Sequence, residues 1–134
     1  MFAGVASRPF CCSAIAMAPP ITIAVATDDK ISTIADALNS ARTCPWCDEL
    51  LVFDSGSTDG SADVAGELAD RVEFHEWTTY ADSKRRMCEA ARNDWVFILD
   101  ADEQITPELS AEIAGLSESA FADHPVMTMP RKNY

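Results

Sequence analysis

Apolar residues along this chain follow two rhythms: short runs of β-branched or aromatic residues, and longer stretches where they return every three or four positions. The runs "ITIAVA" at 21–26, "ELLVFD" at 49–54, "RVEFHE" at 71–76 and "WVFIL" at 95–99 have the length and composition of strands. Between the first two, Ile31, Ile34, Ala35, Leu38 and Ala41 repeat at helical spacing, with Thr27-Asp28-Asp29 ahead of them as a helix-start signal. Gly56 and Gly60 punctuate the next loop, and Val64, Ala65 and Leu68 mark a second helix, with Ser57 or Asp59 available to cap it. Residues 81–92 read as a third helix with Met87, Cys88 and Ala91 on one face. Thr106 and Pro107 form a cap and first-turn pair for a fourth, which carries Leu109, Ile113 and Leu116. The proline-bounded "PVMTMP" at 125–130 predicts an edge strand.

Strand and helix alternating with short connections predict an α/β fold, a Rossmann-like open and mainly parallel sheet with helices on both faces. A length of 134 residues suits one core. Residues 1–20, with little charge and a Pro-Pro end, read as a disordered or poorly structured extension, with Met17 as the working start. Polar Ser13 breaks the short apolar run there and argues against a secretory leader. The folded unit is expected over 21–134, and its end directly after a strand signal suggests a fragment.

Charge narrows the partners. Lys and Arg number 10 against 22 Asp and Glu, a net charge of −12 that repels nucleic-acid backbones and anionic lipid. No run reaches the ~18 apolar residues that a membrane-spanning helix needs. Five cysteines are an odd number without regular spacing, so a reducing, cytoplasmic setting is expected. Cys44-Pro45-Trp46-Cys47 has the spacing of a redox motif, but it closes a helical segment instead of opening one and reads as a structural turn.

The candidate chemistry is acidic. In an open parallel sheet, ligands bind outside the carboxyl ends of the strands, where the strand order reverses. Asp54 ends the second strand, and Asp100 and Asp102 end the fourth. With the first strand between them, strands about 4.8 Å apart leave the carboxylates roughly 10 Å from each other, a span that a nucleoside diphosphate bridges. Carboxylates this close in sequence repel unless a cation neutralises them or one takes up a proton. Mg²⁺ or Mn²⁺ takes one or two of them plus substrate phosphates. The alternative is Asp100 as a helix cap or turn former, with Asp102 and Glu103 solvated. Lys84 lies early in the third helix, on the stripe of Met87 and Cys88, where its ammonium is expected to snorkel toward phosphate. For Lys84 and the neighbouring Arg85 and Arg86 alike, a solvated helix face is the alternative.

"VFDSGSTDGSADVA" followed by "SKRRMCEAARNDWVFILDADEQITPEL" resembles the nucleotide-binding half of family 2 glycosyltransferases of the GT-A fold, closest to bacterial members that act on lipopolysaccharide core. The resemblance covers roughly residues 21–134. It implies inverting transfer from a nucleotide-sugar, a UDP-sugar by preference, to a glycan or glycolipid acceptor of the cell envelope. Asp54 then contacts the uracil and ribose side, Asp100 faces the ribose or the metal shell, and Asp102 holds Mg²⁺ or Mn²⁺ on the diphosphate. Lys84 sits where relatives place a basic residue near the nucleotide, and the backbone around Thr27 lines the base pocket. Peripheral association of the full-length protein with the inner membrane face is compatible with this.

Asp28-Asp29-Lys30 departs from the family's usual Asn-Glu after the first strand. Relatives continue for about as many residues again, so the acceptor site and general base are expected beyond Tyr134, and this chain is expected to bind donor without efficient transfer. Two rivals remain. A haloacid-dehalogenase-like phosphotransferase needs D-x-D-x-T or D-x-D-x-V, which "DADEQ" misses at Gln104 and "DSGST" misses at Gly56. The other is a noncatalytic nucleotide-binding fragment.

Overall fold

The computed structural model describes residues 18–132, so the reading of the N-terminal extension lies almost wholly outside the described residues. The elements are β1 (Ile21–Thr27), α1 (Ile34–Arg42), β2 (Cys47–Asp54), α2 (Ser61–Leu68), β3 (Arg71–Phe74), α3 (Tyr80–Ala90), β4 (Trp95–Asp100), α4 (Pro107–Ala114) and α5 (Glu118–Asp123). The four strands form one sheet in the order β3-β2-β1-β4, every neighbouring pair parallel. The expected α/β architecture is therefore present, with β1 between β2 and β4. The chain steps outward from β1 to β3 and then returns across β1 to lay down β4. Strand order thus reverses between β1 and β4, which is where such sheets open a crevice.

Right-handed crossovers explain the layering: outward steps put their helices on one face and the return step puts its helix on the other. Alternate strand residues sort accordingly. Ile23, Val25, Leu50 and Val52 join Ile34 and Leu38 of α1, Ala65 of α2, Ile113 of α4 and Phe121 of α5 in one buried cluster. Ala24, Leu51 and Phe53 face the opposite way and meet Met87 of α3. Each of the larger of these side chains contributes about 1.5–3 kcal/mol by leaving water. The first face is the thicker, and Trp46 ties α4 to it by donating its indole N–H to the Ser110 carbonyl at 3.0 Å.

Several local expectations are corrected. Helix α1 starts at Ile34, well after Thr27-Asp28-Asp29, because Asp29 takes a left-handed φ of 49° and its carboxylate accepts the Thr58 N–H at 2.7 Å. The buried stripe of α3 is Ser83 and Met87, so Cys88 and Lys84 are rotated off it and exposed. Residues 125–130 form no strand: prolines at both ends restrict φ and remove donors, and the segment only lays Met127 and Met129 on the core. Helix α5, capped by the Ser117 hydroxyl accepting from the Ala120 N–H, was not anticipated. Cys44 to Cys47 form the expected turn between α1 and β2, with the Cys47 N–H donated to the Cys44 carbonyl at 3.1 Å. Burial pushes the Cys47 thiol up to about 11, against any thiolate role.

Candidate functional site

Parallel pairing brings the predicted residues to one rim. Thr27 on β1 is opposite Asp54 on β2, and Ala26 is opposite Asp100 on β4, so Thr27, Asp54 and Asp100 stand at the carboxyl ends of three adjacent strands. Strand alternation turns Thr27 and Asp54 toward the α1 and α2 side and Asp100 toward the α3 side. Asp102 follows in the loop before α4.

The loop after β2 closes on Asp54. Gly56 and Gly60 adopt φ of 103° and 96°, conformations that side chains with a Cβ resist. That compactness lets one Asp54 oxygen, Oδ2, accept the Gly56 and Ser57 N–H groups at 3.0 and 3.1 Å. The other, Oδ1, is buried and has no hydrogen-bond partner among the described residues, as is true of Thr27 Oγ1 and of His75 Nε2, which lies 3.9 Å from Asp82 Oδ2. A buried acceptor left without a donor costs about 1–3 kcal/mol, which makes this rim the candidate site.

The loop after β1 is stitched to the loop after β2. Ser57 accepts the Asp29 N–H at 3.0 Å, Ser61 accepts the Lys30 N–H at 2.8 Å, and Asp59 accepts the Ile31 N–H at 3.0 Å. Asp59 also accepts the Ser61 hydroxyl and N–H, but the N-cap of α2 is Gly60 and no side chain caps the helix, so neither Ser57 nor Asp59 fills the capping role expected of them. The Ser61 hydroxyl, followed by these N–H donors, holds the Asp59 carboxyl below its ordinary range.

The acidic motif carries two bound cations of the chain's own. Lys30 Nζ lies 3.3 Å from Asp102 Oδ2, and Arg131 lies 3.4 Å from Asp100 Oδ2 and 2.9 Å from Glu103 Oε1. Asp100, Asp102 and Glu103 offer only carboxylate oxygens, the donor class that Mg²⁺ or Mn²⁺ shares with waters and substrate phosphates. In donor chemistry these residues fit such an ion. Among the described residues, no three or more His, Cys, Asp or Glu side chains gather as a metal cage, which a site completed by phosphate does not require.

Lys84 is on the exposed side of α3 and enters no ion pair among the described residues. Arg85 binds Asp82 and Glu89, and Arg86 binds Asp82, so the arginines form a solvated helix face. A shallow hollow of about 340 Å³ between β3 and α3, lined by Phe53, Phe74, His75 and Arg86 among others, does not include the aspartates. Sequence reasoning missed His75, Lys30 and Arg131. For Lys30, the cation within an otherwise acidic loop was a usable signal, whereas nothing local pairs Arg131 with Asp100.

Comparison with known proteins gives these features a context. The family model described as Glycosyl transferase family 2 matches residues 22–134. An uncharacterised glycosyltransferase of Rickettsia conorii is 35% identical over 104 residues, covering 78% of this chain and 35% of that protein. The lipopolysaccharide core biosynthesis glycosyltransferase LpsC of Rhizobium meliloti is 35% identical over 68 residues, covering 47% of this chain and 25% of that protein. Among solved structures, glucosyl-3-phosphoglycerate synthase from Mycobacterium tuberculosis, in complex with Mn²⁺, uridine diphosphate and glucosyl-3-phosphoglycerate, is similar. Its TM-score is 0.56 at 25% identity, covering 62% of this chain and 33% of that one. The chain thus spans about a third of the length of the first curated relative.

Proposed function

The chain belongs to glycosyl transferase family 2 and has the GT-A fold, and on that premise we propose that it forms the donor-binding part of an inverting sugar transferase. The donor is a nucleotide-sugar, a UDP-sugar in this reading, and the acceptor is a cell-envelope glycan or glycolipid such as lipopolysaccharide core. The likeness to LpsC supports the acceptor class, and the Mn²⁺ and uridine diphosphate in the related synthase support the donor and the ion. The cytoplasm, with peripheral contact at the inner membrane face, is the corresponding place of action. Among the described residues, no helix is long and apolar enough to cross a membrane.

One observation carries the proposal: Thr27 and Asp54 face each other across β1 and β2 at the carboxyl rim, each with a buried oxygen that no described residue satisfies. A nucleoside offers both donors and acceptors to such a pair. In this reading Asp54 orients the base and ribose, the backbone around Thr27 lines the base pocket, Asp100 faces the ribose or the metal shell, and Lys84 approaches the nucleotide from α3. Asp102 holds the divalent ion, which when bound neutralises charge growing on the departing diphosphate. The donor-binding domain is read as residues 21–134. Membership of the family removes the phosphotransferase alternative.

Titration of UDP into the wild type, Asp54→Ala and Asp102→Ala, with and without Mn²⁺, tests this. Metal-dependent binding is expected for the wild type only. Equal UDP affinity in all three proteins refutes the assignment.

A further inference from the structure

We propose that Lys30 is a donor-diphosphate ligand which, before donor binds, is held on Asp102 in the place the divalent ion takes. The proposal rests on the donor-site reading above and adds a residue to it. Three observations lead there. The Lys30 ammonium lies 3.3 Å from Asp102 Oδ2, across 72 residues of sequence. Its backbone is fixed: its N–H is donated to Ser61 Oγ at 2.8 Å, and its carbonyl accepts the Thr33 and Ile34 N–H groups at 3.0 and 2.9 Å. Finally, the Lys30 side chain is half-exposed and its four-carbon stem is flexible, so the side chain can move while the backbone stays in place.

Electrostatics supplies the exchange. An ammonium and a divalent cation on one carboxylate repel each other strongly at contact distance. Arrival of the ion therefore breaks the Lys30–Asp102 ion pair and frees the ammonium, and no covalent bond changes in the step. A nucleoside diphosphate brings negative oxygens to the same carboxylate, and the released ammonium has a new anionic partner within the sweep of its stem. Arg131 stands in the matching relation to Asp100, but through two carboxylates instead of one, and so yields less readily.

The exchange predicts opposite signs for two equilibria. In Lys30→Met, Mn²⁺ added alone and followed by its electron paramagnetic resonance signal binds about two- to fivefold more tightly, the worth of one exposed ion pair. UDP at saturating Mn²⁺ binds about tenfold or more weakly, the worth of a charge-assisted hydrogen bond. Lys30→Arg stays near the wild type on both counts. Two constants moving in the same direction, or neither moving, overturns the role of Lys30. Asp102→Asn separates this from failure of the underlying reading. If Asp102→Asn loses both affinities while Lys30→Met changes neither, only the Lys30 proposal falls. If Asp102→Asn keeps both affinities, the donor site and the Lys30 proposal fall together. Unfolding midpoints in urea confirm that each variant is folded, which the exposed position of Lys30 favours.

Discussion

The two ends of the sheet each bury a carboxylate, and they treat it differently. At the amino end, Glu49 on β2 is 3% exposed and fully engaged: Oε2 accepts the Thr22 hydroxyl and the Arg92 N–H, both at 2.8 Å, and Oε1 faces Arg71 at 3.5 Å. Asn93 closes the cluster by donating to Thr22 Oγ1 and to Asp48. At the carboxyl end, Asp54 on the same strand is 6% exposed and only half engaged. A buried polar group that its own chain satisfies stabilises the fold, whereas one left unsatisfied costs stability until something else arrives. The chain satisfies its buried carboxylate at one end of its strands and leaves the buried carboxylate at the other end half satisfied.

The largest expected effect tests that division directly. Glu49→Ala removes the acceptor of the buried Thr22 hydroxyl, at about 1–3 kcal/mol, and of the part-buried Arg92 N–H, a loss measurable as the midpoint shift in urea unfolding. Asp54→Asn keeps an oxygen for the Gly56 and Ser57 N–H groups and removes a half-satisfied buried charge, so stability holds within about 1 kcal/mol while UDP affinity falls. Equal destabilisation by both substitutions would erase the contrast.

The contrast also explains what was legible beforehand. Strands β1 and β2 announced themselves because their apolar runs are buried on both faces, and β4 because its run is continuously apolar although only Leu99 in it is buried, properties of each segment alone. The rim aspartates were legible for the same reason, since a charge that ends such a run must lie at its exit. What escaped depends on contacts distant in sequence. Asp28 and Asp29 have the composition of a helix start, but Asp29 is recruited by Thr58 in another loop, which delays α1 to Ile34. The face of α3 was misjudged at Lys84 because the small Ser83, not the apolar Cys88, meets the sheet. The ion pairs of Lys30 and Arg131 with the acidic motif exist only after folding.

A smaller effect comes from Asp82, a rim residue that is satisfied but not buried. Bonds from Thr78 and Arg85, with Arg86 nearby, lower its carboxyl to about 2. A folded-state value below the unfolded ~3.9 means that its stabilisation is complete above that value and disappears as pH falls through about 2. The urea midpoint of the wild type should therefore exceed that of Asp82→Asn at pH 5, and the gap should close between about pH 4 and 2. A gap of constant size across that range would assign the role of Asp82 to packing.

The smallest effect is expected at Thr27, and it is diagnostic beside Thr22 because both residues lie on β1 and are the same amino acid. Thr22 and Thr27 are 0% and 3% exposed. Thr22 Oγ1 donates to Glu49 and accepts from Asn93, while Thr27 Oγ1 has no partner among the described residues. Valine matches threonine in shape, so substitution removes the hydroxyl and little else. Thr22→Val is expected to lose about 1–3 kcal/mol, since it strands polar groups that remain buried. Thr27→Val is expected to change stability by less than about 0.5 kcal/mol or to raise it, since it removes an uncompensated polar atom from the interior. If the Thr27 hydroxyl serves the nucleotide, the same substitution weakens UDP binding even though the folded protein is no less stable. A Thr27→Val protein as destabilised as Thr22→Val would mean that the chain itself satisfies the carboxyl rim, and the division between the two ends would fail at its most closely matched pair.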